Sequence, residues 1–252
     1  MVLDGKNAVI YGGAGAIGSA VARTFAREGA RVFLAGRTQS TLDAVAEDIR
    51  AAGGDVHATA LDALDERAVD AFADDVAARY GGIDVSFNLI SHGDVQGTPM
   101  AEMQLEDFMR PIDTAVRSTF ITARAAARHM IPKGHGAILM FGGSGNPVPN
   151  YNIGGFQVGL HALEAMRRQL SAELGRHGVR VVTLKTGGIP ESIPAGYEGR
   201  DHLEQMLAAA TMLKRTATLA DVGDAAAFAA SDKARTMTAA TINISCGALI
   251  DA

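Results

Sequence analysis

The residue types best suited to chemistry cluster near the amino terminus. Gly12-Gly13-Ala14-Gly15-Ala16-Ile17-Gly18 follows the apolar run Asn7–Tyr11 and precedes a segment in which Ile17, Val21 and Phe25 recur every four residues. Glycines between a strand and an amphipathic helix let backbone N–H groups approach a pyrophosphate, whose charge the helix N-terminus favours. A glycine-rich run alone is weak evidence, but in this setting it reads as a nucleotide-binding turn rather than a merely structural one. The second apolar run, Val32-Phe33-Leu34-Ala35, ends in Gly36-Arg37-Thr38. An acidic side chain at that place would take a ribose 2′-hydroxyl, whereas a guanidinium suits a 2′-phosphate. With Arg37 present and no carboxylate, NADP(H) is expected over NAD(H); the bland alternative is a solvated arginine at a strand end.

The elements that must position these residues alternate along the chain. Short β-branched runs (Asn7–Tyr11, Val32–Ala35, Val56–Leu61, Val85–Ile90, Ala137–Phe141, Val179–Lys185 and Thr241–Ser245) are separated by segments of helical period. Among these, Ser40 is expected to cap a helix carrying Leu42, Val45 and Ile49, and later helices are expected near Leu105–Met130, Gly155–Gly175 and Ala220–Ser231. Strands that read as continuous apolar runs are covered on both faces. The expected fold is therefore α/β: one domain over residues 1–252, a doubly wound (Rossmann) parallel seven-stranded sheet with helices on both faces. Thr186–Gly199 carries two prolines and four glycines, and a helix is expected around His202–Leu213. Residues 186–213 are expected to form a substrate lid.

Composition narrows the function classes. The 252 residues carry 23 Lys and Arg against 28 Asp and Glu, a net charge of −5, which speaks against nucleic acid or anionic membrane as a partner. Glycine, at 29 residues, is well above the usual ~7%. The single cysteine, Cys246, excludes an internal disulfide and a cysteine-cluster metal site; no histidine pair has metal-binding spacing, so no metal is expected. No run approaches the ~20 apolar residues of a membrane span, and Met-Val-Leu-Asp-Gly-Lys has no signal-peptide core, so a cytoplasmic protein is expected.

Further segments carry a resemblance. Leu61-Asp62-Ala63, Ile83-Asp84-Val85-Ser86-Phe87-Asn88, Leu170-Ser171-Ala172-Glu173-Leu174 with Gly178-Val179-Arg180-Val181, and Leu213-Lys214-Arg215 with Ala229-Ala230-Ser231-Asp232 resemble the short-chain dehydrogenase/reductase (SDR) family over essentially the whole chain. The resemblance implies cofactor contacts from Gly12, Gly13, Gly15, Ala16, Ile17 and Gly18, from Arg37 and Thr38, from Asp62 and Ala63 at the adenine, and from Asn88, Ile90 and Ile189. It also implies a homo-oligomer, a dimer or tetramer. Ala123, Ala125, Ala126, Ala127, Ala162 and Ala165 would suit close helix pairing there, with core packing as the alternative.

The same resemblance implies a tyrosine that delivers a proton, a lysine four residues on, a serine thirteen residues before and an asparagine that anchors water. Those positions fall on Phe156, Leu160, Gly143 and Ala115. All four are apolar or lack a side chain, in keeping with the rule that a half-satisfied buried polar network is worse than an apolar one. Ser144 and Tyr151 are the leading substitutes, because they bracket the loop where the chemistry would lie; His92, Asn150, Asn152, Gln157 and His161 are further candidates. Each also reads as an ordinary turn, loop or surface residue. Pro190, Ile193, Pro194, Tyr197, Met206 and Met212 imply a small, largely apolar substrate. The expected function is an NADP(H)-dependent oxidoreductase working without the Tyr–Lys relay, on an activated C=C, an imine or an unusual carbonyl. The alternatives are a non-redox enzyme on this scaffold and a catalytically silent NADP(H)-binding protein.

Overall fold

A strand covered by helices on both faces reads as a nearly continuous apolar run, and β1 (Asn7–Tyr11) is buried along its whole length. A computed structural model describes residues 1–143, 152–194 and 196–250. Beyond β1 the order is α1 (Ala16–Arg27), β2 (Arg31–Gly36), α2 (Gln39–Ala51), β3 (Val56–Ala60), α3 (Glu66–Tyr80), β4 (Val85–Asn88), α4 (Leu105–Lys133) and β5 (Gly136–Gly142). The chain continues through α5 (Gly154–Leu174), β6 (Val179–Lys185), α6 (Arg200–Ala210), α7 (Leu219–Ala230) and β7 (Ala240–Asn243). The strands form one seven-stranded sheet in the order β3-β2-β1-β4-β5-β6-β7, and every pairing is parallel. The doubly wound sheet expected from the sequence is thus the one observed.

Two cores flank the sheet. Val21 and Phe25 of α1, Leu42 and Ile49 of α2 and Val222 of α7 pack on one face; Val69 and Val76 of α3, Ala123 to Met130 of α4 and Leu163 of α5 pack on the other. Ala123, Ala125, Ala126 and Ala127 are all buried within the chain, so core packing accounts for the small residues of α4. The order reverses between β1 and β4, which opens a crevice at the carboxyl ends of the strands.

Local signals set most boundaries. Asp65 accepts the Arg67 and Ala68 amides at the start of α3, and Gly81, at φ +83°, ends it. Thr218 and Asp221 form a reciprocal capping box at α7. The expected Ser40 cap is corrected: α2 begins at Gln39 after an extended Thr38, with no side-chain cap. Gln39 instead accepts the Ala60 amide at 3.0 Å, and this tie to the edge of the sheet starts the helix earlier. No helix among the described residues is long and apolar enough to cross a membrane.

Candidate active site

The glycine turn is built by contact limits. A Cβ on Gly12 would lie 2.5 Å from the Leu89 carbonyl oxygen, and one on Gly18 would lie 2.1 Å from the Gly12 oxygen. Both obstacles are backbone, so neither position admits a side chain. Gly12 and Gly13 donate to the Ala35 carbonyl at 2.8 and 3.2 Å, which pins the turn to β2. Gly15 precedes α1 without a side-chain cap, and the first helical turn holds no acidic residue. The leading amides of Ala16, Ile17 and Gly18 therefore face the crevice in a form suited to an anion. This cradle fits the pyrophosphate of a dinucleotide.

The remaining expected cofactor residues surround the same edge. Arg37 and Thr38 are exposed where β2 passes into α2. Asp62 lies in a tight turn after β3, its carboxylate accepting the Leu64 amide at 3.0 Å, and Ala63 beside it is buried. Asn88 ends β4, and its side chain is engaged within the protein: it donates to Ser118 and Thr119 of α4 at 3.0 and 3.1 Å and accepts the Ile90 amide at 3.1 Å. Asn88 thus holds the β4 turn against α4, and Ile90 packs on the α3–α5 side of the sheet. Ile189 is buried at the start of the 186–213 segment, just before a short 3₁₀ turn, Pro190–Ser192. That segment is anchored where Leu207 of α6 approaches Gly188 and where Met212 meets Gly247.

The four positions read as proton-handling converge. Gly155 and Gly159, one turn apart, bring α5 onto α4: a Cβ on Gly155 would lie 1.8 Å from the Phe108 carbonyl oxygen, and one on Gly159 would lie 3.6 Å from the Ala115 Cβ. This approach fixes Phe156 and Leu160 between the two helices and the sheet. The Leu160 methyls reach Gly142 and Gly143 at the end of β5, at 2.8 and 3.2 Å from the Cβ positions those glycines would have. Ala115 is fully buried, Leu160 is buried and Phe156 is half-buried. The walls contributed by these residues are hydrocarbon.

Of the substitutes, Ser144, Asn150 and Tyr151 lie outside the described residues. His161 is exposed, and Gln157 is half-buried. Asn152 is exposed, and its carbonyl accepts the Gly97 amide at 2.7 Å. His92 is half-buried in the loop after β4, with its ring centroid 5.8 Å from that of Phe156 and the planes tilted by 48°. Burial moves its pKa below the ordinary imidazole value, against an opposing pull from Asp94.

Sequence reading missed Lys185. It is buried at the carboxyl end of β6, with its Cα paired to Gly142. Strand alternation puts it on the face of Val181, which packs with α4 and α5. The available signal was a lysine closing a run that is otherwise apolar from Val181 except for Thr183.

Comparison with known proteins agrees with this architecture. Residues 12–248 match the family model described as Enoyl-(Acyl carrier protein) reductase. Momilactone A synthase of Oryza sativa subsp. japonica is 34% identical, covering 97% of this chain and 90% of its own. Secoisolariciresinol dehydrogenase of Forsythia intermedia is 28% identical, covering 92% and 85%. The crystal structure of a short-chain type dehydrogenase/reductase from Mycobacterium marinum superposes with a TM-score of 0.86 at 26% identity, covering 99% of this chain and 97% of its own. A glycine cradle on β1–α1, a parallel sheet reversing beside it and relatives that span the chain nearly end to end make this protein a member of the short-chain dehydrogenase/reductase family, whose members typically bind a nicotinamide cofactor.

Proposed function

We propose that this protein is an NADP(H)-dependent oxidoreductase that transfers hydride to or from a small, largely apolar substrate without a Tyr–Lys proton relay. The observation that carries the cofactor choice is Arg37, exposed at the end of β2 with no ion pair among the described residues, beside an uncapped helix N-terminus. Its guanidinium would meet a 2′-phosphate, the glycine turn and the first α1 amides would hold the pyrophosphate, and Asp62 with Ala63 would flank the adenine. When bound, the nicotinamide supplies or accepts the hydride.

Around the reacting atoms the chain offers hydrocarbon where the family relay would stand. Phe156 and Leu160 occupy the tyrosine and lysine positions, and Ala115 and Gly143 occupy those of the asparagine and serine. Such a chamber excludes water and suits a substrate that needs little acid help: an activated C=C, an imine, or a carbonyl served by a different proton donor. Assembly as a dimer or tetramer is part of this proposal, supported by the exposed apolar residues Phe120 and Ile131 of α4 and Val158 of α5.

The testing experiment is a calorimetric and fluorescence titration of the purified protein with NADPH and with NADH. Micromolar NADPH binding, with NADH much weaker, is expected. Equal affinity for both would remove the role given to Arg37, and no binding of either would remove the oxidoreductase reading in favour of a non-redox enzyme or a silent scaffold.

A further inference from the structure

Among apolar described neighbours, one ionisable ring stands against Phe156, the residue at the position the family resemblance gives to tyrosine. The Phe156 ring lies on the first turn of α5, held there by the contact between Gly155 and the Phe108 carbonyl. The His92 ring meets it at 5.8 Å between centroids, the planes tilted by 48°. The loop bearing His92 leaves β4 at the crevice, beside the turn that Asn88 fixes to α4. His92 thus brings an N–H or a ring nitrogen lone pair to the edge of a space from which the phenol hydroxyl is missing.

We propose that His92 is the proton-transferring residue of this site, accepting the hydroxyl proton of an apolar secondary alcohol as hydride leaves and returning it in the reverse direction. This inference rests on the NADP(H) oxidoreductase reading. In oxidation the O–H bond breaks and its proton passes to the imidazole, while its electron pair forms the π bond of the new carbonyl. The C–H bond breaks with its electron pair, delivering hydride to the oxidised nicotinamide cofactor; the imidazolium then loses its proton to water. The alcohol is oxidised by two electrons and the cofactor reduced by two.

The surroundings set the resting protonation state. Burial holds the His92 pKa below its usual value, and Asp94 in the same loop opposes that shift. From α4 the nearby charges are Arg110, which lies against Gly93, and its partners Asp107 at 2.8 Å and Glu106 at 3.5 Å. From the first turn of α5, residues 154–158 contribute no ionisable side chain. Lys185, at the end of β6, is a further ionisable group at this edge of the sheet among the described residues. The neutral imidazole therefore dominates at pH 7, which is the form a base needs. Oxidation should rise with pH through the His92 midpoint and level off by neutrality, and reduction should rise as pH falls.

The test compares the wild type with His92→Phe, which keeps a ring against Phe156, and begins with a readout that needs no turnover. Diethylpyrocarbonate labelling, read by peptide mass spectrometry, should modify His92 in the free protein and be suppressed at least tenfold by saturating NADPH. If calorimetry shows no NADPH binding, the oxidoreductase reading falls and this inference falls with it. If NADPH binds and His92 labels at an unchanged rate, this inference alone falls. With NADP+ and a panel of apolar secondary alcohols, His92→Phe should lose about a hundredfold or more in kcat, lose the low-pH limb of the profile, and regain rate on addition of free imidazole. A variant that matches wild type in rate and pH profile overturns the assignment, as does a wild type that binds NADPH and oxidises no alcohol in the panel.

Discussion

Substituting Gly155→Ala tests how the site is positioned. Gly155 begins the face of α5 that rests on α4, and an added methyl would sit 1.8 Å from the Phe108 carbonyl oxygen and 2.8 Å from its carbon. Real Cβ atoms essentially never come closer than 3.0 Å to a neighbour, so the two helices must separate by about 1.2 Å at that point. The obstacle is backbone inside α4 and cannot rotate away, which puts the cost at or above the top of the ~1–3 kcal/mol of an overpacked core. Alanine's better helix propensity returns at most roughly 1 kcal/mol. The net loss is about 2 kcal/mol or more, equivalent to a fall in Tm of roughly 4–8 °C for a domain of this size. Gly175→Ala is the matched control: Gly175 has φ −58° and ψ −37°, and its added methyl meets nothing within 4 Å. Differential scanning calorimetry of the two variants should show Gly175→Ala unchanged or slightly raised and Gly155→Ala clearly lowered. Equal Tm values would mean that the α4–α5 contact does not limit the site, and the account of why Phe156 and Leu160 sit where they do would be wrong.

Other residues give separate tests. Arg37→Ala should weaken NADPH binding by about tenfold to a hundredfold, the worth of one or two charged hydrogen bonds, while NADH affinity measured by calorimetry stays within about twofold. Asp84 is buried, which pushes its pKa up, but the Asn7 amide at 2.8 Å, the Lys133 ammonium at 2.9 Å and His135 at 3.1 Å outweigh this and hold it below the usual value. A depressed carboxyl stabilises the fold above its unfolded pKa of about 3.9, and that stability is lost as pH falls through the lower folded value. Asp84→Asn should therefore cost about 2 kcal/mol at pH 7 and visibly less at pH 3 by urea denaturation; a cost independent of pH would exclude the charged network. Phe156→Tyr combined with Leu160→Lys should raise NADPH-linked reduction of ordinary ketones at least tenfold. A wild type that already reduces them well, with no gain in the double variant, would show that the relay positions are misassigned.

What the sequence makes legible follows the range of the interactions involved. β1 ends where its apolar run ends, because a strand buried on both faces writes its length in residue type. Gly29 and Gly53, at φ +92° and +84°, end α1 and α2, and such ends are legible because a left-handed turn is a property of one residue. The start of α2 was less legible because Gln39 is set by Ala60 on another strand, twenty-one residues away. The site divides along the same line. Its glycine turn is local, set between a strand and a helix within residues 7–27, and that strand–turn–helix order was readable from sequence. The end proposed to carry the chemistry is assembled from β4, α4, β5, α5 and β6. Leu160 meets Gly142 and Gly143, and Gly155 meets Phe108, only after the sheet has ordered those elements.

The same distance separates His92 from Phe156, sixty-four residues apart in the chain and ring against ring in the fold. Sequence names His92 only as a further candidate behind Ser144 and Tyr151, because neither its burial nor its partner is a local property. Lys185 was hidden for the complementary reason: a lysine at the end of an apolar strand reads as the point where the chain regains solvent, yet α5 covers that face of β6 and buries it. Phe156 and Leu160 are apolar where the resemblance would place the relay, yet this edge of the sheet still holds ionisable groups. They are an imidazole on the loop after β4 and an amine at the end of β6, neither of them carried by α5. A site rebuilt in this way would keep hydride geometry, which the cradle and sheet determine, while changing the pH dependence of proton transfer, which the side chains determine. That separation makes the pH profile of His92→Phe, rather than its rate at a single pH, the informative measurement.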